Sequence, residues 1–321
     1  MNNKALFYQL AETISEHDQI VIFHHTRPDG DCLGAQFGLL HLIKDNFPNK
    51  QVLVFGNHYD HYSFFNWKFD QVEQVSDFSQ YLAIVVDVNS HQRIEYGDLF
   101  LKHTFKKIIR FDHHDSSSNL KIDLEIDDPS YGATCELLTD FALSVNWNIS
   151  EQTATFLYLG IVTDTGNFCF SAASIRTFAM AYQLIKNNAN KNWIYQNLKQ
   201  RSLHDLQIQS EIINNVKCED RIIYYYMDLA TQKKLGINSP LKANLVHLLN
   251  NIESYQIWIY FTQENLNQIR CEFRSNQFNV KQLAEKWNGG GHIYASGCMI
   301  DTSDKIALIV ADAKKIINNQ F

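Results

Sequence analysis

The chain has 321 residues, 45% of them hydrophobic, and carries 28 basic against 35 acidic side chains for a formal charge of −7. That length suits two domains with a core each. The acidic balance excludes a surface built to hold long nucleic acid, which needs an excess of cations to displace the counterions of the phosphate backbone. Six cysteines, Cys32, Cys135, Cys169, Cys218, Cys271 and Cys298, stand far apart without a C-x-x-C pair. They exclude a disulfide scaffold and a zinc ribbon and fit a reducing cytoplasm. Met1-Asn2-Asn3-Lys4 opens no secretion signal and no apolar stretch has the length of a membrane span, so a soluble protein without membrane attachment is expected.

Through the first half, short apolar runs alternate with helical patterns. Strands are expected at 19–25, 51–55, 82–88 and 107–111, and the 34–44 stretch has helical spacing, with Leu33, Phe37, Leu40 and Leu42 or Ile43 on one stripe. Strand, helix, strand in this order implies right-handed crossovers and a mainly parallel, doubly wound sheet. Helices are expected at 132–143 and 150–162, the second with Ser150 at its N-terminal cap. The 174–216 stretch is polar and helical without Gly or Pro, and reads as the end of the first domain plus a connector. A second α/β unit follows, with strands at 221–228, 255–262, 268–274 and 295–300 and a helix at 280–287. Tyr224, Tyr225 and Tyr226 alternate across the first of these strands, so at least one belongs to the core.

Four acidic motifs fall at the ends of these elements. They are His25-Thr26-Arg27-Pro28-Asp29-Gly30-Asp31, Asp87 after Ala83-Ile84-Val85-Val86, Asp112-His113-His114 after Ile108-Ile109, and Thr163-Asp164-Thr165-Gly166. In open α/β sheets ligands bind outside the carboxyl ends of the strands. Alone, each motif has an ordinary reading as a polar turn or a helix cap. Together they supply the hard oxygens, the imidazoles and the bridging carboxylate that a pair of divalent ions requires. In the first motif, Pro28 stiffens the turn and Gly30 permits a tight path, so alternate residues of a short loop would point Asp29 and Asp31 the same way. His58-Tyr59-Asp60-His61 has metal-like residue types in an aromatic loop and reads as structural, and Arg93 reads as a surface residue.

The ordered set resembles the DHH phosphoesterase superfamily, in its DHH-DHHA1 subfamily. His25, Asp29 and Asp31 match the first motif of that family, Asp87 the second, Asp112-His113-His114 the third and Asp164 the fourth. Gly289-Gly290-Gly291-His292-x2-Ala295-Ser296-Gly297, preceded by Arg274-Ser275, matches the DHHA1 signature, with Asn288 where relatives often carry a further glycine. The resemblance implies a DHH catalytic domain over 1–185, a helical connector over 186–216 and a smaller mixed-sheet DHHA1 domain over 217–321. It implies two divalent ions, usually manganese, with magnesium or cobalt as alternatives. One ion would be held by His25, Asp29 and Asp87, the other by Asp31, Asp87, His113 and Asp164. Asp112 would orient His113 or His114, and His114 would face the scissile phosphate, making these two the catalytic pair. Arg274, Ser275, Gly289, Gly290, Gly291 and His292 would bind substrate from the second domain, across a cleft.

Within that family the absence of extra domains and of a basic surface points to short oligoribonucleotides and adenosine 3′,5′-bisphosphate (pAp) as substrates, with no long nucleic acid and no membrane partner. Cyclic di-AMP or pApA is the alternative substrate class, and a homodimer is left open. A family-II inorganic pyrophosphatase shares the first domain, but the Gly289-Gly290-Gly291-His292 run argues against it.

Overall fold

Five short runs rich in β-branched and aromatic residues become parallel strands in the computed structural model. They are β1 (Gln19–Phe23), β2 (Gln51–Phe55), β3 (Leu82–Val86), β4 (Lys107–Asp112) and β5 (Leu124–Asp127), in the order β2-β1-β3-β4-β5. Residues 3–58, 62–88, 90–114, 120–237 and 245–318 are described, and they fall into two compact units, Met1–Gln200 and Arg201–Phe321.

Alternation along the strands fills two cores, one on each face of the sheet. Ile20, Ile22, Val54, Ile84 and Phe111 point into the larger one. Its helices are α1 (Lys4–Glu16), α2 (Gly30–Asn46), α4 (Thr134–Ser144), α5 (Glu151–Asp164), α6 (Ile175–Lys186) and α7 (Lys191–Leu198). Val21, Phe23, Phe55, Ala83 and Val85 point the other way, onto Phe78, Ile94 and Phe105. That face is covered by short 3-10 turns and the single turn α3 (Leu99–Lys102), not by long helices. All five residues of β3 are buried, which is why this stretch shows no alternation in sequence.

α5 is buried from Thr153 to Val162 and begins at Ser150, whose hydroxyl accepts from the Thr153 amide. It lies against α2 at a separation set by glycines. A methyl group on Gly34 would stand 2.7 Å from the Phe156 carbonyl oxygen, and one on Gly38 would stand 2.6 Å from Leu157.

The helical connector expected over 186–216 crosses the boundary between the two units. α7 buries Ile194 in the first unit, whereas α8 (Leu203–Asn215) buries Ile208 and Ile212 among Ile223, Tyr225 and Trp258 of the second. The second sheet is mixed, in the order β10-β11-β9-β8-β7-β6. Its strands are β6 (Lys217–Glu219), β7 (Ile222–Met227), β8 (Ile257–Asn265), β9 (Gln268–Ser275), β10 (Gly290–Gly291) and β11 (Ala295–Ile300), and only β7 and β8 pair in parallel. α9 (Leu229–Lys234) follows β7, and α10 (Lys281–Lys286) and α11 (Lys305–Ile317) cover one face. Both faces are packed, so Tyr224 and Tyr225 enter different cores.

Of the aromatic loop at 58–61 only His58 is described, stacked on Phe69 at 6.3 Å between ring centroids. Tyr59, Asp60 and His61 lie outside the described residues. No described helix is long and apolar enough to cross a membrane.

Candidate metal centre

The carboxyl ends of β1, β3 and β4, the start of α2 and the end of α5 meet at one place. After β1, His24 is buried. Its Nδ1 bonds to the His25 carbonyl at 2.7 Å and its Nε2 accepts from the Asn57 amide at 3.2 Å, while burial lowers its pKa to about 3. It is a neutral structural residue. His25 bonds through Nδ1 to the Thr26 carbonyl at 2.9 Å, which leaves Nε2 facing Asp29 Oδ2 at 3.8 Å and Asp87 Oδ2 at 3.5 Å.

Asp29 and Asp31 do not sit on alternate positions of a loop, which corrects the expectation from sequence. Asp29 is the N-cap of α2, its Oδ1 accepting from the Cys32 amide at 2.9 Å, and Asp31 is already in the first helical turn. The Pro28-Asp29-Gly30 run starts a helix because Asp29 satisfies one of the free amides there. Asp31 is buried and accepts from the amides of Thr134 and Cys135 at 2.6 and 2.9 Å. The amino end of α4 therefore holds this carboxylate.

β3 stops at Val86 because Asp87 turns into the left-handed region with φ of 60°, a conformation that costs a non-glycine residue about 1 kcal/mol or more. The turn aims its two oxygens apart. Oδ2 faces His25, while Oδ1 accepts from the Thr134 hydroxyl at 2.9 Å and lies 3.5 Å from His113 Nε2. His113 bonds through Nδ1 to the Tyr131 carbonyl at 3.2 Å, and its Nε2 also stands 3.3 Å from Asp164 Oδ2 and 3.9 Å from Asp31 Oδ2.

Asp112 is wholly buried behind this group. Its Oδ1 accepts from the His113 and His114 amides and from His114 Nδ1 at 2.7 Å, and its Oδ2 accepts from Arg110 Nη1 at 3.1 Å. Arg110 is buried too, with Glu125 at 2.9 Å and Asp127 at 2.8 Å as its other ion-pair partners.

The gaps between facing donors, 3.3 to 3.9 Å, lie at or beyond the long end of hydrogen bonding. Donors about 2.1 Å from a shared ion in octahedral geometry stand about 3 Å apart, so the spacing fits ion ligands with slight closure. His25, Cys32 and Asp87 form one such group, and Asp31, His113 and Asp164 another. The charge balance agrees with cations. Burial and the neighbouring carboxylates push Asp31 well above its ordinary pKa and Asp164 up to about 7. Burial works to raise Asp87 as well, but the facing imidazoles of His25, His113 and His114 hold it down to about 2. Burial would lower His113, yet Asp87, Asp31 and Asp164 bring it up to about 9. Cys32 is pushed up to about 12 by burial and packs as a neutral thiol.

Several of these residues were not legible in sequence. Thr134 and Cys135 act through backbone amides, for which residue type gives no signal. Arg110 could have been found as a lone cation inside an apolar strand, with Glu125 and Asp127 spaced by two on the next run.

In the second unit, Arg274 donates from Nη1 to the Phe273 carbonyl at 3.0 Å and from Nη2 to Glu272 at 3.3 Å, with its side chain part exposed. Ser275, also expected from the resemblance to bind substrate, has its hydroxyl engaged within the chain. It is buried, donates to the Gln256 carbonyl and accepts from the Gln277 and Phe278 amides, so it shapes the turn that follows β9. Gly290 and Gly291 pair with Gly297 and Ser296, and a methyl group on Gly291 would stand 2.7 Å from the Ser296 backbone. His292 is exposed at the tip of this hairpin. Asn288 has φ of 57°, a left-handed position that asparagine tolerates better than most residues, which accounts for its place where relatives often have glycine.

Residues 19–161 match the N-terminal domain of the DHH family and residues 219–319 match the DHHA1 domain. The chain belongs to the DHH family, in the form that carries a DHHA1 domain. Among individual proteins it is 40% identical over 319 residues to the bifunctional oligoribonuclease and PAP phosphatase NrnA of Mycoplasma pneumoniae, covering 99% of this chain and 98% of that one. It is 30% identical over 312 residues to the Bacillus subtilis protein of the same name, covering 96% and 97%. The fold is shared with an exopolyphosphatase-related protein of Bacteroides fragilis, with a TM-score of 0.84 at 22% identity over 97% of this chain and 95% of that one.

Proposed function

We propose that this chain is a metal-dependent phosphoesterase that hydrolyses short oligoribonucleotides and removes the 3′-phosphate of pAp. The observation that carries the reading is the aim of Asp87, with one oxygen toward His25 and the other toward His113, as a carboxylate shared by two ions requires. His25, Asp29 and Asp87 would hold one ion, and Asp31, Asp87, His113 and Asp164 the other, with manganese the ion that the family resemblance implies. When bound, such a pair lowers the pKa of water and neutralises charge on phosphoryl oxygens.

The rest falls to the side chains. The carbonyls of Thr26 and Tyr131 fix the tautomers of His25 and His113. His114 is held through Nδ1 by Asp112, so its Nε2 is free to donate to a phosphate or a leaving oxygen. Burial would lower the pKa of that imidazole, while the hydrogen bond to Asp112 and the Asp87 and Asp112 carboxylates raise it and so favour the charged form. Arg274, His292 and the Gly289-Gly290-Gly291 hairpin would anchor a substrate phosphate. Six free cysteines, two of them buried beside the centre, suit a reducing cytoplasm.

A turnover panel with manganese tests this, using pAp, diribonucleotides, longer RNA, pApA, cyclic di-AMP and pyrophosphate. RNA of two to about five nucleotides and pAp should be the best substrates, a range that follows from the lack of an extended basic track. Equal or faster cleavage of long single strands refutes it, and exclusive turnover of cyclic di-AMP or pApA replaces the substrate.

A further inference from the structure

Next to the candidate centre, the first unit holds a cavity of about 500 Å³ whose walls include Tyr62, Thr163, Asn167, Tyr195, Leu198 and Lys199. Its size falls within the roughly 300–1,000 Å³ of small-ligand clefts. Two links join it to the centre. Thr163 immediately precedes Asp164 on α5. Tyr62 takes a backbone hydrogen bond from Gly30, between Asp29 and Asp31, and feels the charges of Asp29 and Asp164 after the larger effect of burial, all but the hydrogen bond raising its phenol pKa.

The cavity joins two phenol rings to two polar groups that the fold leaves unused. Among the described residues the Asn167 side-chain amide has no hydrogen-bond partner and Lys199 has no carboxylate partner. The Lys199 ammonium rests over the Tyr195 ring, 5.6 Å from its centroid. Aromatic faces take nucleobases of any sequence, amides bond base edges, and an exposed lysine beside a carboxylate-rich centre complements a phosphate.

We propose that this cavity seats one nucleoside unit adjoining the scissile phosphate, with the base against the rings of Tyr62 and Tyr195, its edge on Asn167, and Lys199 on a flanking phosphate. This deepens the reading above and rests on it for the identity of the substrate. It places a base-recognition element in the first unit, separate from the phosphate anchors Arg274 and His292. It also accounts for an enzyme that would favour short RNA, because one seated nucleoside supplies affinity without a long basic track.

The test uses the full chain loaded with manganese and the variants Tyr195→Leu, Tyr195→Phe and Lys199→Met, the last at an exposed position that leaves the fold intact. Substrates are a diadenylate, two forms of it each lacking one base, and bis-p-nitrophenyl phosphate. Tyr195→Leu and Lys199→Met should each raise KM on the diadenylate about tenfold, from a lost stacking face or a lost phosphate contact. Tyr195→Phe keeps the ring and should stay within about twofold. All three should stay within about twofold on the small ester, and the Tyr195→Leu penalty should vanish on one of the abasic dinucleotides, the one whose missing base is the seated one. An equal penalty on every substrate, or none on the diadenylate, overturns the proposal. Calorimetry with AMP and ribose 5-phosphate separates the two readings. If the wild type cleaves neither RNA nor pAp, the proposed function fails. A preference for AMP of about tenfold that Tyr195→Leu abolishes then still upholds the cavity, and equal affinity for the two compounds overturns it.

Discussion

Replacing Asp112 by asparagine should unsettle the first unit and the centre together. The Asp112 side chain accepts four hydrogen bonds, three at Oδ1 from His113 and His114 and one at Oδ2 from Arg110. Asparagine keeps one acceptor, and its amide group must then meet either the guanidinium or the imidazole, donor against donor. Removing one partner of a buried pair costs about 3–5 kcal/mol. Arg110 retains Glu125 and Asp127, so the lower end applies, about 3 kcal/mol. For a unit of this size each kcal/mol moves the melting temperature by about 2–4 °C, which gives a drop of about 6–12 °C. Turnover should fall about 100-fold or more as His114 loses its orientation and the carboxylate that favours its charged form. Thermal unfolding followed by circular dichroism, with kinetics on pAp, reads both effects. Glu125→Gln is the control, because Glu125 is 42% exposed and its pair with Arg110 is partly screened, so it should cost less than about 1 kcal/mol. A melting point within about 2 °C of wild type, with activity retained, would mean that the Arg110–Asp112–His114 chain does not hold the site.

Asp87→Ala should bind fewer than two ions and lose about 10³-fold or more in turnover, while metal analysis showing two ions and near-normal kinetics would remove the bridge. Manganese added to metal-free protein at a fixed concentration, about 100 times its dissociation constant at pH 8, should stabilise the first unit by about 2.7 kcal/mol there. The same concentration should give a smaller gain at pH 6. Asp164 is raised to about 7, so the folded metal-free state binds more protons than the unfolded chain below that pH, its own stability falls as pH rises toward 7, and protons compete with the ions. Melting shifts equal at both pH values would contradict this. Arg274→Ala should keep its metal and lose roughly 10- to 150-fold in kcat/KM on nucleotides, the worth of a charge-assisted phosphate contact, with a smaller loss on bis-p-nitrophenyl phosphate. A proportional loss on both would place Arg274 in the chemical step.

The sequence was informative where chemistry and position coincide. A carboxylate or an imidazole just past an apolar run is conspicuous, and this singles out His25, Asp29, Asp31, Asp87, His113 and Asp164 as one candidate group. It was silent where tertiary context decides. β5 carries Glu125 and Asp127, which look like surface residues until Arg110 is seen buried between them. Asp29 and Asp31 looked like loop residues because the apolar periodicity of α2 starts only at Leu33, three residues after the helix does. Ser275 matched a motif, yet its hydroxyl is occupied by the turn it closes. The polar stretch after α6 has no glycine or proline to mark the division between units, and only burial of Ile194 on one side and Ile208 on the other reveals it.

The glycines between α2 and α5 also act as a caliper. Gly34 lies one turn beyond Asp31, and Gly160 one turn before Asp164. A methyl group on Gly34 would stand 3.1 Å from the Gly160 nitrogen, and one on Gly160 would stand 2.5 Å from Asp31 itself. The distance between these two carboxylates is thus a helix separation, fixed by how closely two backbones approach. Magnesium takes oxygens at about 2.0–2.1 Å and calcium at about 2.3–2.6 Å, a difference smaller than the displacement one extra methyl group would force. The spacing of these two candidate ligands is therefore set by packing at glycines that are not themselves candidate ligands.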